Sequence, residues 1–478
     1  MQSKQEIVKD IFDRGIIHFI GIGGIGMSGI AEILHHMGYA VQGSDVSLNP
    51  NVKRLQDLGI KVIVGQKEEN VNNVAVVVKS TAIKDSNPEI MACKDKKILV
   101  IHRSEMLAWL MSLKKTVSVA GTHGKTTTTS LVGSLFEAAK QDPTVINGGV
   151  INSYGTNAKM GRGDWLIAEA DESDRSFLNL PTNIAIVTNI DPEHMENYGT
   201  FDVLKDSFLE FINKISETGF AVLCKDHPVV CEIISRVHNR NIITYAVNSD
   251  ADVRAENIRI LPRESKFDVV ISKNVKYGPY KLENISLPMP GAHNVLNSLA
   301  AIAVAAELGF AQDTIINGFA GFQGVKRRFT KTGEVSGITV IDDYAHHPKE
   351  ISVTLNTAKN YVKETKGKVI AVVQPHRYTR VNDLFTDFCD CLQPADKILI
   401  ADIYSAGEDP IAGIDKESMV MKIKENGHCD VSCLAFEQDL PKIISAVAKS
   451  GDLVLCMGAG SITVWANNLP GQLKELLS

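Results

Sequence analysis

Val117-Ser118-Val119-Ala120-Gly121-Thr122-His123-Gly124-Lys125-Thr126-Thr127-Thr128-Thr129 is a β-branched apolar run that ends in a glycine-bracketed turn and continues into a helical pattern. It reads as a strand, a phosphate loop and a helix N-terminus. Gly121 and Gly124 allow backbone N–H groups to close on phosphate oxygens. The helix start adds unpaired donors and the positive end of a dipole. Lys125 supplies a mobile cation and Thr126 stands where a hydroxyl would ligate Mg²⁺. A full Walker A pattern would carry glycine at 119, where this chain has Val119, so the match is to a shortened loop, GxxGKT.

Upstream, Ile16-Ile17-His18-Phe19-Ile20 reads as a strand, followed by Gly21-Ile22-Gly23-Gly24-Ile25-Gly26-Met27-Ser28-Gly29, a helical run, and the strand Val41-Gln42-Gly43-Ser44-Asp45. This is a βαβ start with a glycine-rich turn at a helix N-terminus. It specifies a pyrophosphate without saying whether NAD, FAD or a UDP-sugar carries it. Further strands end at Ser80-Thr81 and just before Arg103, which places these residues at the carboxyl ends of parallel strands, where open α/β sheets bind ligands. A domain boundary is expected near Ser112-Leu113-Lys114-Lys115.

Downstream, Trp165-Leu166-Ile167-Ala168 runs into Glu169-Ala170-Asp171-Glu172-Ser173-Asp174. Acids this dense at one strand end are costly unless cations answer them, and beside Lys125 and Thr126 the fitting answer is Mg²⁺. The strand Ala185–Ile190 ends in Asp191-Pro192-Glu193-His194-Met195, where His194 is a metal-ligand or charge-neutralising candidate. From Val253 to Leu287 short alternating pieces predict a small antiparallel sheet. Asn294 and Asn297 follow on one face of an alanine-rich helix. A third α/β region begins after the basic junction Lys326-Arg327-Arg328. It carries Asp342-Asp343-Tyr344-Ala345-His346-His347-Pro348 and Gln374-Pro375-His376-Arg377-Tyr378-Thr379-Arg380 at strand ends.

The chain has 478 residues, enough for two to four domains, and a net charge of −6, so no nucleic-acid partner is expected. No apolar run is long enough to span a membrane, and no membrane partner is expected. Met1–Arg14 is charged and mixed, without the apolar core of a leader peptide. The eight cysteines are scattered, mostly in apolar runs, which fits buried free thiols and a reducing cytoplasm.

The order and spacing of these motifs resemble the Mur ligase family, the ATP-dependent amide-forming enzymes of peptidoglycan precursor synthesis. The resemblance covers nearly the whole chain. It rests on Gly121–Thr127, Glu169–Asp174, Asn189–Met195, Gly291–Asn297, Arg327-Arg328-Phe329 and Asp342–Pro348. The Gly-Ile-Gly-Gly-Ile-Gly-Met-Ser turn, the Asp-Asp-Tyr stretch and Gln374–Arg380 point to the branch that joins L-alanine to the carboxylate of UDP-N-acetylmuramate.

The resemblance implies an α/β fold in three domains. Residues 1–113 would be a Rossmann-like UDP-sugar-binding domain. Residues 114–326 would form a P-loop ATPase-like domain with the small antiparallel sheet added, and residues 327–478 a Rossmann-like domain for the amino acid and ATP. It places ATP on Gly121, Thr122, His123, Gly124, Lys125, Thr126 and Thr127, with Asn294 and Asn297 near the adenine and Arg328 and Asp343 completing the site. Thr126, Glu169 and His194 would hold Mg²⁺. Gly23, Gly24, Met27, Ser28, Asp45, Ser80 and Thr81 would meet the UDP end, and Arg103, Thr156, Asn157 and Ser173 the muramyl part. Tyr344, His347, His376, Arg377 and Arg380 would surround L-alanine and the reacting carboxylate, with His347 or His376 as base. The carbamylated lysine of several family members has no counterpart, since Lys205 is out of register. Three other readings compete: a peptide-recycling ligase on the same UDP-sugar, an NAD-dependent dehydrogenase, and a non-catalytic nucleotide-binding module.

Overall fold

The computed structural model describes residues 15–477; Met1–Arg14, read above as lacking a leader, and Ser478 lie outside the described residues. The chain divides into two compact units. The first takes in the described residues up to Asn257, with Phe267–Ser286 and Val295–Gln323. The second comprises Ile258–Lys266, Leu287–Asn294 and the chain from Gly324 on.

The first unit begins with five strands, β1 (Ile16–Ile20), β2 (Val41–Asp45), β3 (Lys61–Val64), β4 (Val74–Lys79) and β5 (Leu99–His102). All pair in parallel in the order β3-β2-β1-β4-β5. The order reverses between β1 and β4, which opens a crevice at their carboxyl ends. The glycine turn leaves β1 there, and Ser80 and Thr81 follow β4. Continuous apolar runs such as Val74-Ala75-Val76-Val77-Val78 suit strands covered on both faces, and Val76, Val77 and Val78 are fully buried.

A second sheet has the order β15-β14-β13-β12-β11-β10-β6-β9-β7-β8. Its strands are β6 (Lys115–Ala120), β7 (Thr144–Ile151), β8 (Thr156–Lys159), β9 (Trp165–Glu169), β10 (Ile184–Val187), β11 (Phe220–Cys224), β12 (Asn241–Ala246), β13 (Val253–Ile260), β14 (Ser265–Ile271) and β15 (Tyr280–Leu287). β6 lies between β10 and β9, parallel to both, so the phosphate loop emerges between the two acid-bearing strand ends. The strands expected from Val253 to Leu287 are β13, β14 and β15, and β13 pairs in parallel with β12 through Tyr245–Val253 and Ala246–Arg254, so this small sheet is added onto the main one. The opposite edge of the sheet is the antiparallel pair β7–β8.

The second unit carries the third sheet, β16-β17-β21-β18-β19-β20, from β16 (Thr330–Val335), β17 (Ile338–Asp343), β18 (Val369–Val373), β19 (Lys397–Ile400), β20 (Val431–Cys433) and β21 (Leu453–Met457). Only β16 runs antiparallel to its neighbour. Alternation along the strands sends Leu453, Leu455 and Met457 into one buried cluster and Val454 and Cys456 into another, so both faces are covered. No helix among the described residues is long and apolar enough to cross a membrane.

Candidate functional site

The loop after β6 is clamped by the end of β10. Thr122 N–H donates to the Asn189 carbonyl at 3.1 Å. His123 N–H donates to Asn189 Oδ1 at 2.7 Å, and its carbonyl accepts from Asn189 Nδ2 at 2.9 Å and Thr188 Oγ1 at 2.7 Å. Gly121 is needed for this approach: a Cβ there would stand 2.0 Å from Thr188 Oγ1. The donors of Thr122 and His123 are therefore taken up inside the protein. The donors that an anion could meet are those of the following helix, Lys125–Ala138. Its N-cap is Gly124 in the left-handed region (φ 82°), and no side chain caps it. A Cβ on Gly124 would come within 2.6 Å of Asn297 Oδ1, which sets Asn297 against the loop. Asn294 uses its amide to donate to the Pro290 carbonyl at 2.7 Å.

Lys125 Nζ donates to the carbonyls of Gly121 (2.6 Å) and Thr122 (3.2 Å) and lies 2.8 Å from the Glu172 carboxylate. Burial opposes its charge, but Glu172, Glu169 and Asp171 together outweigh it and push the ammonium pKa above its ordinary value. Burial pushes Glu172 up to about 7 against the pull of Lys125. Burial also works against Asp171, yet Lys125, Arg103 and the Ser173 N–H hold that carboxyl below its ordinary value. Thr126 Oγ1 donates to Glu169 Oε2 at 3.0 Å, and the same oxygen accepts from Gly148 N–H at 2.9 Å. Thr126 and Glu169 are thus brought together. His194, in the left-handed region (φ 59°), has Nδ1 3.7 Å from Glu196. Among the described residues no three His, Cys, Asp or Glu side chains converge as an ion cage. A hydroxyl and one carboxylate instead suit an octahedral Mg²⁺ that completes its shell with phosphate and water.

The glycine turn is closed by its neighbours. Gly21 and Ile22 N–H groups donate to the Ser44 carbonyl, Gly24 N–H to that of Gly21, and Gly23 N–H to Asp45 Oδ2 at 2.9 Å. Met27 and Ser28 are buried on the helix Ile25–His36. Asn157 is fully buried: Nδ2 donates to the carbonyls of Ile25 (2.6 Å) and Asn147 (3.3 Å), and Oδ1 accepts from Ser28 Oγ at 3.4 Å. Asn147 Nδ2 in turn donates to the Thr126 carbonyl at 3.0 Å. Thr156 Oγ1 donates to Glu32 at 3.0 Å. Arg103 reaches Asp171 at 3.5 Å, Thr81 Oγ1 donates to Asp174 at 2.9 Å, and the Ser173 carbonyl accepts from Asn197 at 2.9 Å. Ser80 turns the chain after β4 by accepting from Ile83 N–H at 3.1 Å. Lys205 is spent on Asp202 and Glu232 at the surface.

In the second unit, Asp343 at the end of β17 accepts from the N–H groups of Phe329 (2.7 Å) and Ala345 (2.8 Å). It holds the turn in which Arg327 and Phe329 have positive φ. Burial pushes its carboxyl up to about 6, although Arg328 and the two N–H groups oppose this. The Tyr344 ring faces two guanidinium groups, Arg327 at 4.6 Å and Arg328 at 5.3 Å from its centroid. Rings continue from Tyr344 to His346 (5.1 Å), His376 (5.8 Å) and Tyr404, which stacks on His376 at 5.5 Å and 8°. Burial, with His346, Arg380 and Arg377 adding positive charge, pushes the His376 pKa down to about 4, and its Nδ1 is buried without a hydrogen-bond partner. His347 caps the helix Pro348–Thr365, its Nδ1 accepting from Lys349 N–H at 3.3 Å. Arg377 lies 3.9 Å from Glu408, and Arg380 is on the short helix Tyr378–Asp383.

Residues outside the motif reading also enter these clusters. Asn147 and Tyr404 are reached only through long-range pairing. His227 faces Asp191 from the end of β11, a strand end like those that were read for ligands.

A model described as the Mur ligase family catalytic domain matches residues 16–115, the Mur ligase middle domain matches 119–305, and the Mur ligase glutamate ligase domain matches 327–460. The UDP-N-acetylmuramate–L-alanine ligase of Bradyrhizobium sp. strain BTAi1 is 55% identical over 462 residues, covering 97% of this chain and 98% of that protein. The crystal structure of the UDP-N-acetylmuramate-alanine ligase of Thermotoga maritima superposes with a TM-score of 0.82 at 28% identity, covering 97% of this chain and 100% of that one. A murein peptide ligase from Psychrobacter arcticus shares the fold, with a TM-score of 0.71 at 23% identity over 97% of this chain and 100% of that one.

Proposed function

The chain belongs to the Mur ligase family, and from that premise we propose that it joins L-alanine to the lactyl carboxylate of UDP-N-acetylmuramate at the expense of ATP. The observation that carries the reading is the 55% identity, spread over nearly the full length of both chains, to a ligase of that name. The fold alone does not separate it from a peptide ligase, which has the same architecture. A dehydrogenase leaves the loop at Lys125 and the acids of β9 without a task.

The chemistry follows from the groups present. A carboxylate has no useful leaving group, so the γ-phosphoryl group of ATP is transferred to it, giving an acyl phosphate. The amine of alanine attacks the carbonyl, a tetrahedral intermediate forms, and phosphate leaves. Transfer between two anions depends on positioning and positive charge. We assign the β- and γ-phosphates to Lys125 and the helix start behind Gly124, and the nucleoside side to Asn297 and Asn294. Thr126 and Glu169 fit one Mg²⁺ and His194 a second; the ions would supply charge neutralisation on the phosphate oxygens.

Gly23, Gly24, Met27, Asp45, Ser80 and Thr81 line the end assigned to UDP, and Arg103, Thr156 and Ser173 the muramyl end. Ser28 and Asn157 act from behind as supports. Arg328, set by Tyr344 and Asp343, stabilises the transferring charge. The neutral His376 accepts the amine proton, with Arg377 and Arg380 holding the alanine carboxylate; His347, occupied as a helix cap, orients that turn. The division of labour is residues 1–113, 114–326 and 327–478, and the setting is the cytoplasm.

The test is phosphate release from ATP with UDP-N-acetylmuramate and a panel of amino acids and peptides. Release that needs L-alanine supports the reading; release that needs a tripeptide, or none with any acceptor, overturns it.

A further inference from the structure

The Asp191 carboxylate, only 8% exposed, stands between two imidazoles. Its Oδ2 lies 3.5 Å from Nε2 of His123 and its Oδ1 3.4 Å from Nε2 of His227. The three residues come from three places: the phosphate loop, the end of β10 and the end of β11. Asp191 is also tied to the loop through its backbone, since its N–H donates to Thr122 Oγ1 at 2.8 Å and its carbonyl accepts from the same hydroxyl at 3.3 Å. A shift of Asp191 therefore carries Thr122 and His123 with it.

His227 is the outer support of this arrangement. It sits at the N-cap of the helix Pro228–Ile234, and its own Nδ1 is buried without a hydrogen-bond partner. Its Nε2 faces the Asp191 carboxylate instead. A buried carboxylate needs partners on both oxygens. With His227 gone, Oδ1 would lose the imidazole 3.4 Å away, and the loop that Asp191 holds through Thr122 would shift with it.

We propose that His227 is a positioning residue for the nucleotide, holding the phosphate loop through Asp191 and its two hydrogen bonds with Thr122. The proposal rests on the reading of that loop as the ATP site. It needs no contact between His227 and the nucleotide.

The test uses the full-length protein with H227A, H227N and H227Q. Titrations measure the Kd of a non-hydrolysable ATP analogue with Mg²⁺ and, separately, that of UDP-N-acetylmuramate; a thermal melt checks folding. The H227A substitution is expected to weaken the ATP analogue about threefold to fivefold, the size of one imidazole–carboxylate contact, and to leave the UDP-sugar Kd unchanged. H227Q, whose amide nitrogen can reach Asp191, restores the analogue Kd; H227N, too short to reach, does not. KM for ATP rises in parallel while kcat changes little. If H227A does not fold, the contrast between H227Q and H227N decides. An unchanged analogue Kd in a folded H227A or H227N, equal weakening of both ligands, or failure of H227Q to restore binding overturns the proposal. An unaltered protein that binds the UDP-sugar but no ATP analogue overturns the ATP reading itself.

Discussion

Lys125 Nζ and the Glu172 carboxylate are 2.8 Å apart, with the lysine side chain 13% and the glutamate 2% exposed. The cation expected to meet the phosphates is thus already neutralised by a buried acid, and a nucleotide has to compete with Glu172 for it. Burial holds Glu172 near 7 even with Lys125 beside it. When phosphate takes over the lysine, the carboxylate loses its cation and its affinity for a proton rises. Nucleotide binding at pH 7 is therefore expected to take up a fraction of a proton. Calorimetric titration in buffers of different ionisation enthalpy measures this, and the uptake should vanish in E172Q. Buffer-independent heats in the unaltered protein would refute the coupling.

Removing the lysine has two separable effects. K125A is expected to lower kcat/KM by about a thousandfold, through loss of charge stabilisation on the transferring group. It should also cost about 3–5 kcal/mol of stability, because Glu172 is left buried and uncompensated. The double variant K125A/E172Q should recover stability in urea unfolding without recovering turnover. Recovery of both would remove Lys125 from the chemistry.

The contact of Thr126 with Glu169 predicts a shared dependence on Mg²⁺. T126V and E169Q should each raise the Mg²⁺ concentration for half-maximal turnover by about tenfold or more, with UDP-sugar binding unaltered. G148A should resemble them, since its Cβ would fall 2.6 Å from Glu169 Oε2. Unchanged Mg²⁺ titrations in all three would place the ion elsewhere.

Acid sensitivity should come from the second unit. Burial pushes His293 down to about 4, with Arg328 adding to it, and His376 reaches a similar value. Their native pKa values lie below the ordinary histidine value of 6.5. The unfolded chain therefore binds protons first as pH falls, and stability is lost between about 6.5 and 4. H376N should flatten the dependence of the urea midpoint across that window. An unaltered slope in H376N and in H293N would show that the loss arises elsewhere.

The phosphate loop, the acids of β9 and the strand ends at Asp343 and His376 were legible in the sequence because each is a local strand-turn-helix event. Apolar runs, glycines and polar ends lie within a dozen residues of each other. What stayed hidden depends on pairing between distant segments. Short alternating strands from Val253 to Leu287 look the same whether they form their own sheet or extend another, and only the Tyr245–Val253 register decides it. Likewise, an asparagine in a polar loop gives no sign that its side chain is buried. Asn157 was read toward the substrate, whereas its amide lies on the carbonyls of Ile25 and Asn147. His227 carries no local signal, because a single histidine after a strand is common and its neighbour Asp191 belongs to a different strand end.

The amide of Asn157 spans from the start of the first helix to Asn147, and Asn147 continues to the carbonyl of Thr126. These three hydrogen bonds act as a gauge block between the glycine turn and the phosphate loop. The interval between the two anchoring points is set once, when the protein folds, and not again at every turnover. A ligand long enough to touch both ends finds them already spaced, so little of its binding energy is consumed in bringing them together. On the proposed reading, in which the glycine turn takes the UDP end and the phosphate loop the ATP, a ligand one sugar shorter or longer would meet a fixed gap, and the frame would select by length.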